Sequence, residues 1–188
     1  MLTRDEVLHG AYGAWRLLLG DRRGLDWIDR SPTGAWRSFL LAPLLYPLDL
    51  INFGILAHLS QSTAPLWRIL GAEITTYAIG WAIFPFLMLG LAPLLGRERE
   101  VLGYIAVSNW TSAVISPLSL LLALLLWLGI LPDGLVNLLF FAQLVLLFVY
   151  AWFVARVALN VSMPLSAGLS VLQLVIMLIL SQIAFALI

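Results

Sequence analysis

The chain has no cysteine and no lysine, and it has two histidines, His9 and His58, among 188 residues. Without cysteine, disulfides, thiolate metal sites and thiol nucleophiles are excluded. Glycine-rich phosphate loops, catalytic triads and basic clusters of the nucleic-acid-binding type are missing too. We therefore expect neither an enzyme nor a nucleic-acid-binding protein, and we expect no cofactor and no metal site.

Charge is also scarce, and apolar residues take its place. Charged residues make up 11% of the chain and hydrophobic residues 62%, with a mean hydropathy of +1.02. A soluble domain has about 25% charged and about 45–50% apolar residues. No water-soluble domain can cover this much apolar surface, so the sequence predicts an integral membrane protein with the lipid bilayer as its first partner.

Five apolar stretches are long enough to cross a bilayer as helices, since about 20 residues are needed. The predicted fold is therefore all-α: a polytopic membrane bundle of five transmembrane helices, with an N-terminal amphipathic interfacial helix. We divide the chain into an interfacial segment, 1–37, and a transmembrane domain, 38–188. The predicted spans are about 38–58, 74–95, 103–130, 134–157 and 163–187.

The first residues form a short, charged helical pattern that cannot span. Thr3 and Glu6 have the spacing of a capping box. Apolar residues from Val7 to Leu19 share one face, which predicts a helix lying in the membrane interface. The alternative is an ordinary helix packed on the bundle.

Arginine placement predicts the orientation. Nine of the ten arginines fall on one side of the predicted spans, and Arg68 alone falls on the other side. Because cytoplasmic loops are rich in arginine, we expect a cytoplasmic N-terminus and a C-terminus outside. The expected location is the cytoplasmic (inner) membrane of a bacterium.

The third apolar stretch is longer than a bilayer requires. We expect one tilted helix with a kink at Pro117, where the backbone N–H is missing. A re-entrant first half is the alternative. Further kinks are expected at Pro43, Pro47 and Pro85.

Polar side chains recur at helical spacing inside the spans. Ser108, Ser112, Ser116 and Ser119 fall on one face of the third span. Hydrocarbon cannot satisfy such groups, so we expect them to face other helices and hydrogen-bond across a close-packed seam. The candidate intramembrane residues are Asp49, Asn52, Glu73, Thr76, Ser108, Asn109, Thr111, Ser112, Gln143 and Gln173.

Asp49 is the deepest charged residue in this prediction, and an ionised carboxylate there is costly. It is either neutral and hydrogen-bonded, with Asn109 as the first expected partner, or it lines a wet cavity and carries protons or cations. Glu73 is predicted near the outer end of the second span, where it would pair with Arg68 at the interface.

The arrangement of five spans, short loops and a cytoplasmic N-terminal segment resembles the Yip family of membrane proteins. The stretches "REREVLGYIAVSNWTSAVISP" and "YAWFVARVALNVS" also look like bacterial proteins grouped near that family. Eukaryotic members are associated with Rab GTPases and vesicle traffic. Their Tyr-Gly-Pro signature is missing here, because Ala14 follows Tyr12 and Gly13, so the resemblance implies no Rab binding.

Two functions remain open from the sequence. The first is a non-enzymatic scaffold: an accessory subunit, an assembly factor or a membrane organiser. The alternative is a small transporter or channel that uses Asp49 and the polar face of the third span. Other membrane protein subunits are compatible partners, and so is a homo-oligomer.

Overall fold

The computed structural model describes residues 2–188, except for the side chain of Asp133, and this described part contains helices and no strand. Five helical segments are long and apolar enough to cross a membrane, with α2 and α3 forming one of them. This confirms the predicted all-α bundle. The helices are α1 (Arg4–Leu18), a 3-10 helix (Arg22–Trp27), α2 (Pro32–Ser38), α3 (Leu41–Leu59), α4 (Leu66–Leu95), α5 (Val101–Trp127), α6 (Asp133–Leu159) and α7 (Met163–Ala186).

The helix boundaries agree with the predicted spans except at the start of α4. This helix begins at Leu66 rather than at 74, about two turns earlier. Arg68 and Glu73, which precede the predicted second span, both lie inside the helix. Pro65 is the N-cap of the helix. Its backbone is extended, and proline has no N–H that would need a hydrogen-bond partner.

Helix α5 occupies the centre of the bundle. It contacts α1, α2, α3, α4 and α6, while α7 packs between α4 and α6. With 27 residues, α5 is about 40 Å long, more than the roughly 30 Å of hydrocarbon in a bilayer. It is one continuous helix through Pro117 and is not re-entrant. The extra length lies at its N-terminal end, where residues 101–107 are covered by other parts of the chain.

That cover is the segment 2–38, which we call the N-terminal layer. Helix α1 packs against α5 and α6, and α2 packs against α5. Small residues bring the backbones together: a Cβ on Gly10 would lie 2.4 Å from the Trp110 ring, and one on Gly24 would lie 2.4 Å from the carbonyl oxygen of Gly13. The Tyr150 hydroxyl donates to the carbonyl of Ala14 over 2.6 Å and joins α6 to α1.

The face of α1 that packs inward is not the large apolar face read from the sequence. Its buried residues are Gly10, Gly13, Ala14 and Leu17. The larger apolar residues form an exposed stripe instead, at Leu8, Tyr12, Trp15 and Leu19. The helix therefore packs on the bundle through small residues and also presents an apolar face outward. The predicted capping box is confirmed, with Thr3 and Glu6 bonding each other's backbone N–H.

The prolines differ in their effects on the helices. Pro47, Pro85 and Pro117 lie inside α3, α4 and α5. Pro43 lies in the first turn of α3, where no intrahelical donor is lost. In a continuous helix its ring would clash with the carbonyl four residues earlier, which is that of Phe39. The expected kink at Pro43 is thus a break, because α2 ends at Ser38 and α3 begins at Leu41.

Candidate functional site

A cavity of about 440 Å³ lies between the membrane-spanning helices and is lined by residues of α3 to α7. Its polar lining comes from four of them. Helix α3 contributes Asp49 and Asn52; α4 contributes Glu73, Thr76 and Tyr77; α5 contributes Tyr104, Ser108, Asn109, Ser112 and Ser116; and α7 contributes Ser170, Gln173 and Ser181. The polar faces predicted on separate helices therefore meet around one space rather than in a close-packed seam.

Asp49 lies near the middle of α3 and faces α5. The Ser116 hydroxyl donates to its carboxylate over 3.0 Å. The expected contact with Asn109 is wrong: the Asn109 amide instead donates to the Ser38 hydroxyl over 2.9 Å. The reason is depth, since Asn109 lies two turns nearer the N-terminal layer than Ser116, about 10 Å along the helix. At that level α2, and not α3, covers α5.

Glu73 is the second carboxyl group of the cavity, and its predicted interfacial pairing with Arg68 is wrong. Five positions separate the two residues on α4, which places them about 140° apart around the helix. Arg68 is exposed, whereas Glu73 is 7% exposed and lines the cavity. Within residues 2–188, the Glu73 carboxylate accepts no hydrogen bond and forms no ion pair.

Other polar groups around the cavity also lack partners in the protein. The side chains of Asn52, Ser112 and Gln173 line it, and they make no hydrogen bond with any described residue. Buried polar groups in proteins are nearly always bonded to protein or to water. A cavity of this size and polarity can hold water molecules that make those bonds. The lining is therefore suited to water or to a polar ligand.

Within residues 2–188, the charge-bearing side chains that line the cavity are all acidic. The cavity holds the carboxyl groups of Asp49 and Glu73, and no arginine or histidine of the described chain lines it. Charged groups at membrane depth are normally paired with one another or face a water-filled space. A positively charged group entering the cavity would meet this requirement for both carboxylates.

Aromatic side chains form one wall of the cavity. On α4, Tyr77, Trp81 and Phe84 follow Glu73 at spacings of four, eight and eleven residues, so all lie on one helix face. The ring centroids of Tyr77 and Trp81 are 6.1 Å apart, and those of Phe84 and Tyr104 are also 6.1 Å apart. The aromatic wall was not among the predicted site residues, although its spacing from Glu73 is visible in the sequence.

The hydroxyl and amide groups of the remaining predicted residues have hydrogen-bond partners in the protein. Thr76 borders the cavity, but its hydroxyl donates to the Ala72 carbonyl over 2.8 Å. Thr111 donates to the Ser108 carbonyl over 2.6 Å. The Gln143 amide donates to Ser119 over 2.6 Å and joins α6 to α5 away from the cavity.

Charged residues outside the spans stabilise the N-terminal layer. The pKa of Asp21 is lowered chiefly because its carboxylate accepts the backbone N–H of Arg23, and next because Arg16 donates to it. The pKa of Glu6 is lowered chiefly by the backbone N–H of Thr3. Arg37 also forms an ion pair with Glu6, which connects α1 to α2. These interactions connect the parts of the layer to one another.

Comparison of the chain with known protein families, with curated proteins and with solved structures finds no match. The resemblance to the Yip family stays a prediction. The site has to be interpreted from its own geometry.

Proposed function

We propose that this protein is a small membrane carrier or channel whose substrate site is the cavity between α3, α4, α5 and α7, with Asp49 and Glu73 as its cation-binding groups. Of the two functions left open by the sequence, this one has the stronger geometric support. The observation that carries it is that two carboxyl groups, and several polar groups without a partner among the described residues, line one cavity in which residues 2–188 place no basic side chain.

The number of carboxylates strengthens the proposal. Proton and cation pathways generally use more than one buried ionisable group, and the sequence had offered Asp49 alone. With α4 starting at Leu66, Glu73 lies within the membrane-spanning helix and lines the same cavity as Asp49. A scaffold has no need for two carboxyl groups in one cavity, because hydroxyl and amide groups alone can join helices.

We also propose the orientation expected from the arginines, with a cytoplasmic N-terminus in a bacterial inner membrane. In this orientation the N-terminal layer closes the cytoplasmic end of the bundle. Alkaline phosphatase fused after Ile188 should then be active, and green fluorescent protein fused there should be dark. The reverse pattern would contradict this orientation.

The scaffold function is retained as a second candidate because of one surface. The exposed stripe of Leu8, Tyr12, Trp15 and Leu19 on α1 would be inserted into the membrane interface. Brominated lipids should quench Trp15 fluorescence in a variant whose other tryptophans are phenylalanine. Equal quenching by bromines at the bilayer centre and near the headgroups would contradict an interfacial position.

The carrier proposal is tested by charge displacement in proteoliposomes on a solid-supported membrane. A rapid exchange from a neutral solute to sodium, potassium, tetramethylammonium or acidic buffer should produce a transient current with at least one of these cations. The double variant Asp49→Asn, Glu73→Gln should lose that current, because its cavity carries no charge.

The matched control is Glu98→Gln, which neutralises an exposed carboxyl group between α4 and α5. It should keep the current of the unmodified protein. The proposal would be contradicted if, for every cation, the transient current were the same in the unmodified protein, in the double variant and in empty liposomes.

A further inference from the structure

We infer that the cavity selects an organic ammonium ion, a positively charged amine on an apolar body, over an inorganic cation. This inference rests on the proposed cation site and specifies its ligand class. Its basis is the combination of the Glu73 carboxyl group and aromatic rings on one helix face of α4, with Asp49 of α3 lining the same cavity, together with the volume of the cavity.

Glu73 provides the first part of the argument. Its side chain is more than nine-tenths buried, lines the cavity, and has no hydrogen-bond or ion-pair partner among residues 2–188. A buried carboxylate without a partner is costly. An ammonium group can donate up to three hydrogen bonds to carboxylate and amide oxygens, so Glu73, Asp49 and Asn52 together suit its donor set.

The aromatic wall provides the second part. Tyr77 and Trp81 line the cavity in the turns that follow Glu73 on the same face of α4. Aromatic faces attract organic cations through the ring quadrupole, and tryptophan does so most strongly. The same rings give apolar contact to a carbon skeleton. Small inorganic cations bind through dense shells of oxygen ligands instead, and aromatic rings supply none.

Cavity size provides the third part. Pockets for small organic molecules have volumes of about 300–1,000 Å³, and this cavity, at about 440 Å³, falls within that range. A dehydrated metal ion would occupy a small fraction of it. One amphipathic cation thus matches both kinds of lining. Its ammonium end suits the carboxylates of Glu73 and Asp49, and its apolar end suits the rings from Tyr77 to Phe84.

The test compares phenethylammonium with 2-phenylethanol, a neutral analogue of similar size and shape. Both are titrated into the purified full-length protein in detergent, and binding is followed by calorimetry and by the shift in melting temperature. Phenethylammonium should bind at least about tenfold more tightly than the alcohol, because a charge-assisted hydrogen bond is worth about 1.5–3 kcal/mol. Equal affinity for the two compounds would overturn the inference.

Two variants separate the contributions of Glu73 and Trp81 to binding, and a third serves as the control. Glu73→Gln keeps the shape of the side chain and should weaken phenethylammonium binding by about tenfold or more, while Glu98→Gln should leave it unchanged. Trp81→Leu should weaken it by about threefold to thirtyfold through loss of the cation–π contact. An unchanged affinity in the correctly folded Trp81→Leu protein would overturn the role of the aromatic wall.

Sodium, potassium and magnesium chloride are titrated in the same binding assay as phenethylammonium. If one of these ions binds through Asp49 and Glu73 while phenethylammonium does not, the organic ligand is wrong and the proposed cation site stands. If no cation binds and charge displacement is also missing, both proposals fail.

An ammonium group can also belong to a lipid headgroup. The protein is therefore placed in nanodiscs of phosphatidylglycerol alone or mixed with phosphatidylethanolamine. A melting temperature raised by phosphatidylethanolamine in the unmodified protein, but not in Glu73→Gln, would identify the lipid as the source of the ammonium. No such difference, with phenethylammonium bound, would identify a free amine.

Discussion

In the N-terminal layer, backbones approach closely at glycines and the ion pairs and hydrogen bonds join one part of the chain to another, whereas around the cavity several polar groups have no partner among the described residues. Gly10 lies against Trp110 and Tyr150 bonds α1 directly in the first region. Glu73 and Gln173 face open space in the second. Both regions share α5, and its N-terminal end is covered closely while its middle borders the cavity. The contrast is therefore between close backbone contact at one end of α5 and a polar cavity beside its middle.

The largest expected effect tests the close packing of the layer. Gly10→Ala would place a Cβ 2.4 Å from the buried Trp110 ring, which has to move. Overpacking of this kind costs about 1–3 kcal/mol, so the melting temperature in detergent should fall. Gly71→Ala is the control, because nothing lies within 4 Å of its Cβ position. That variant should be neutral or slightly stabilising, since alanine favours helix. A fall in the control equal to that of Gly10→Ala would contradict the contrast.

Two tyrosines allow a direct comparison of the regions. Tyr150 donates to the Ala14 carbonyl over 2.6 Å, and Tyr77 donates to the Ala42 carbonyl over 2.7 Å. Tyr150→Phe should cost about 1 kcal/mol. Tyr77→Phe should cost less than half as much if water in the adjoining cavity can bond the freed carbonyl. Equal losses in chemical or thermal unfolding would indicate that the cavity is as dry as the layer.

Removing a charge from the cavity should stabilise the protein. Glu73→Gln replaces an unpartnered buried carboxylate with a neutral amide of the same shape. The free energy of unfolding should therefore increase by up to about 1 kcal/mol, and the melting temperature should rise with it. Asn109→Ala should do the opposite, since it breaks the buried bond to Ser38. A destabilised Glu73→Gln protein would show that the carboxylate has a structural partner.

The smallest expected effect is the acid sensitivity of the layer. The folded-state pKa of Asp21 is lowered, so its contribution to stability is complete above the unfolded pKa and is lost as the pH falls through the folded value. Below about pH 4, pepsin should cleave within residues 2–38 before it cleaves the helices. Pepsin should cleave the Asp21→Asn protein to an extent that does not change as the pH falls through the folded pKa of Asp21. The Asp26→Asn protein, altered at an exposed residue, should show the same pH dependence as the unmodified protein. Identical profiles for all three proteins would exclude this role of Asp21.

Hydropathy and helical spacing were sufficient to predict the five helices, because a membrane-spanning segment shows itself in a single stretch of sequence. They were also sufficient to identify the polar stripes, most of whose members line the cavity. Glu73 was misplaced because its charge and that of Arg68 resembled an interhelical boundary. The helical row of Glu73, Tyr77, Trp81 and Phe84 was the signal that the helix started earlier.

Contacts between distant segments could not be predicted in the same way. The pairing of Asn109 with Ser38 depends on how far α2 reaches along α5, and no local pattern encodes that depth. The large apolar residues of α1 predicted a membrane-interface helix and gave no indication of the face that packs on the bundle. Close helix contact favours small residues, so Gly10, Gly13 and Ala14 were the better indicators of the buried face.

Cysteine labelling at position 112 measures whether the cavity holds water and attracts cations. The chain has no native cysteine, so Ser112→Cys gives a single reactive thiol beside the cavity. A cationic methanethiosulfonate reagent should react with it faster than an anionic reagent of similar size, and Asp49→Asn with Glu73→Gln should remove the difference. Leu121→Cys, on the exposed face of α5, should react slowly with both reagents. A Ser112→Cys protein as unreactive as Leu121→Cys, or one that favours the anionic reagent, would contradict the account.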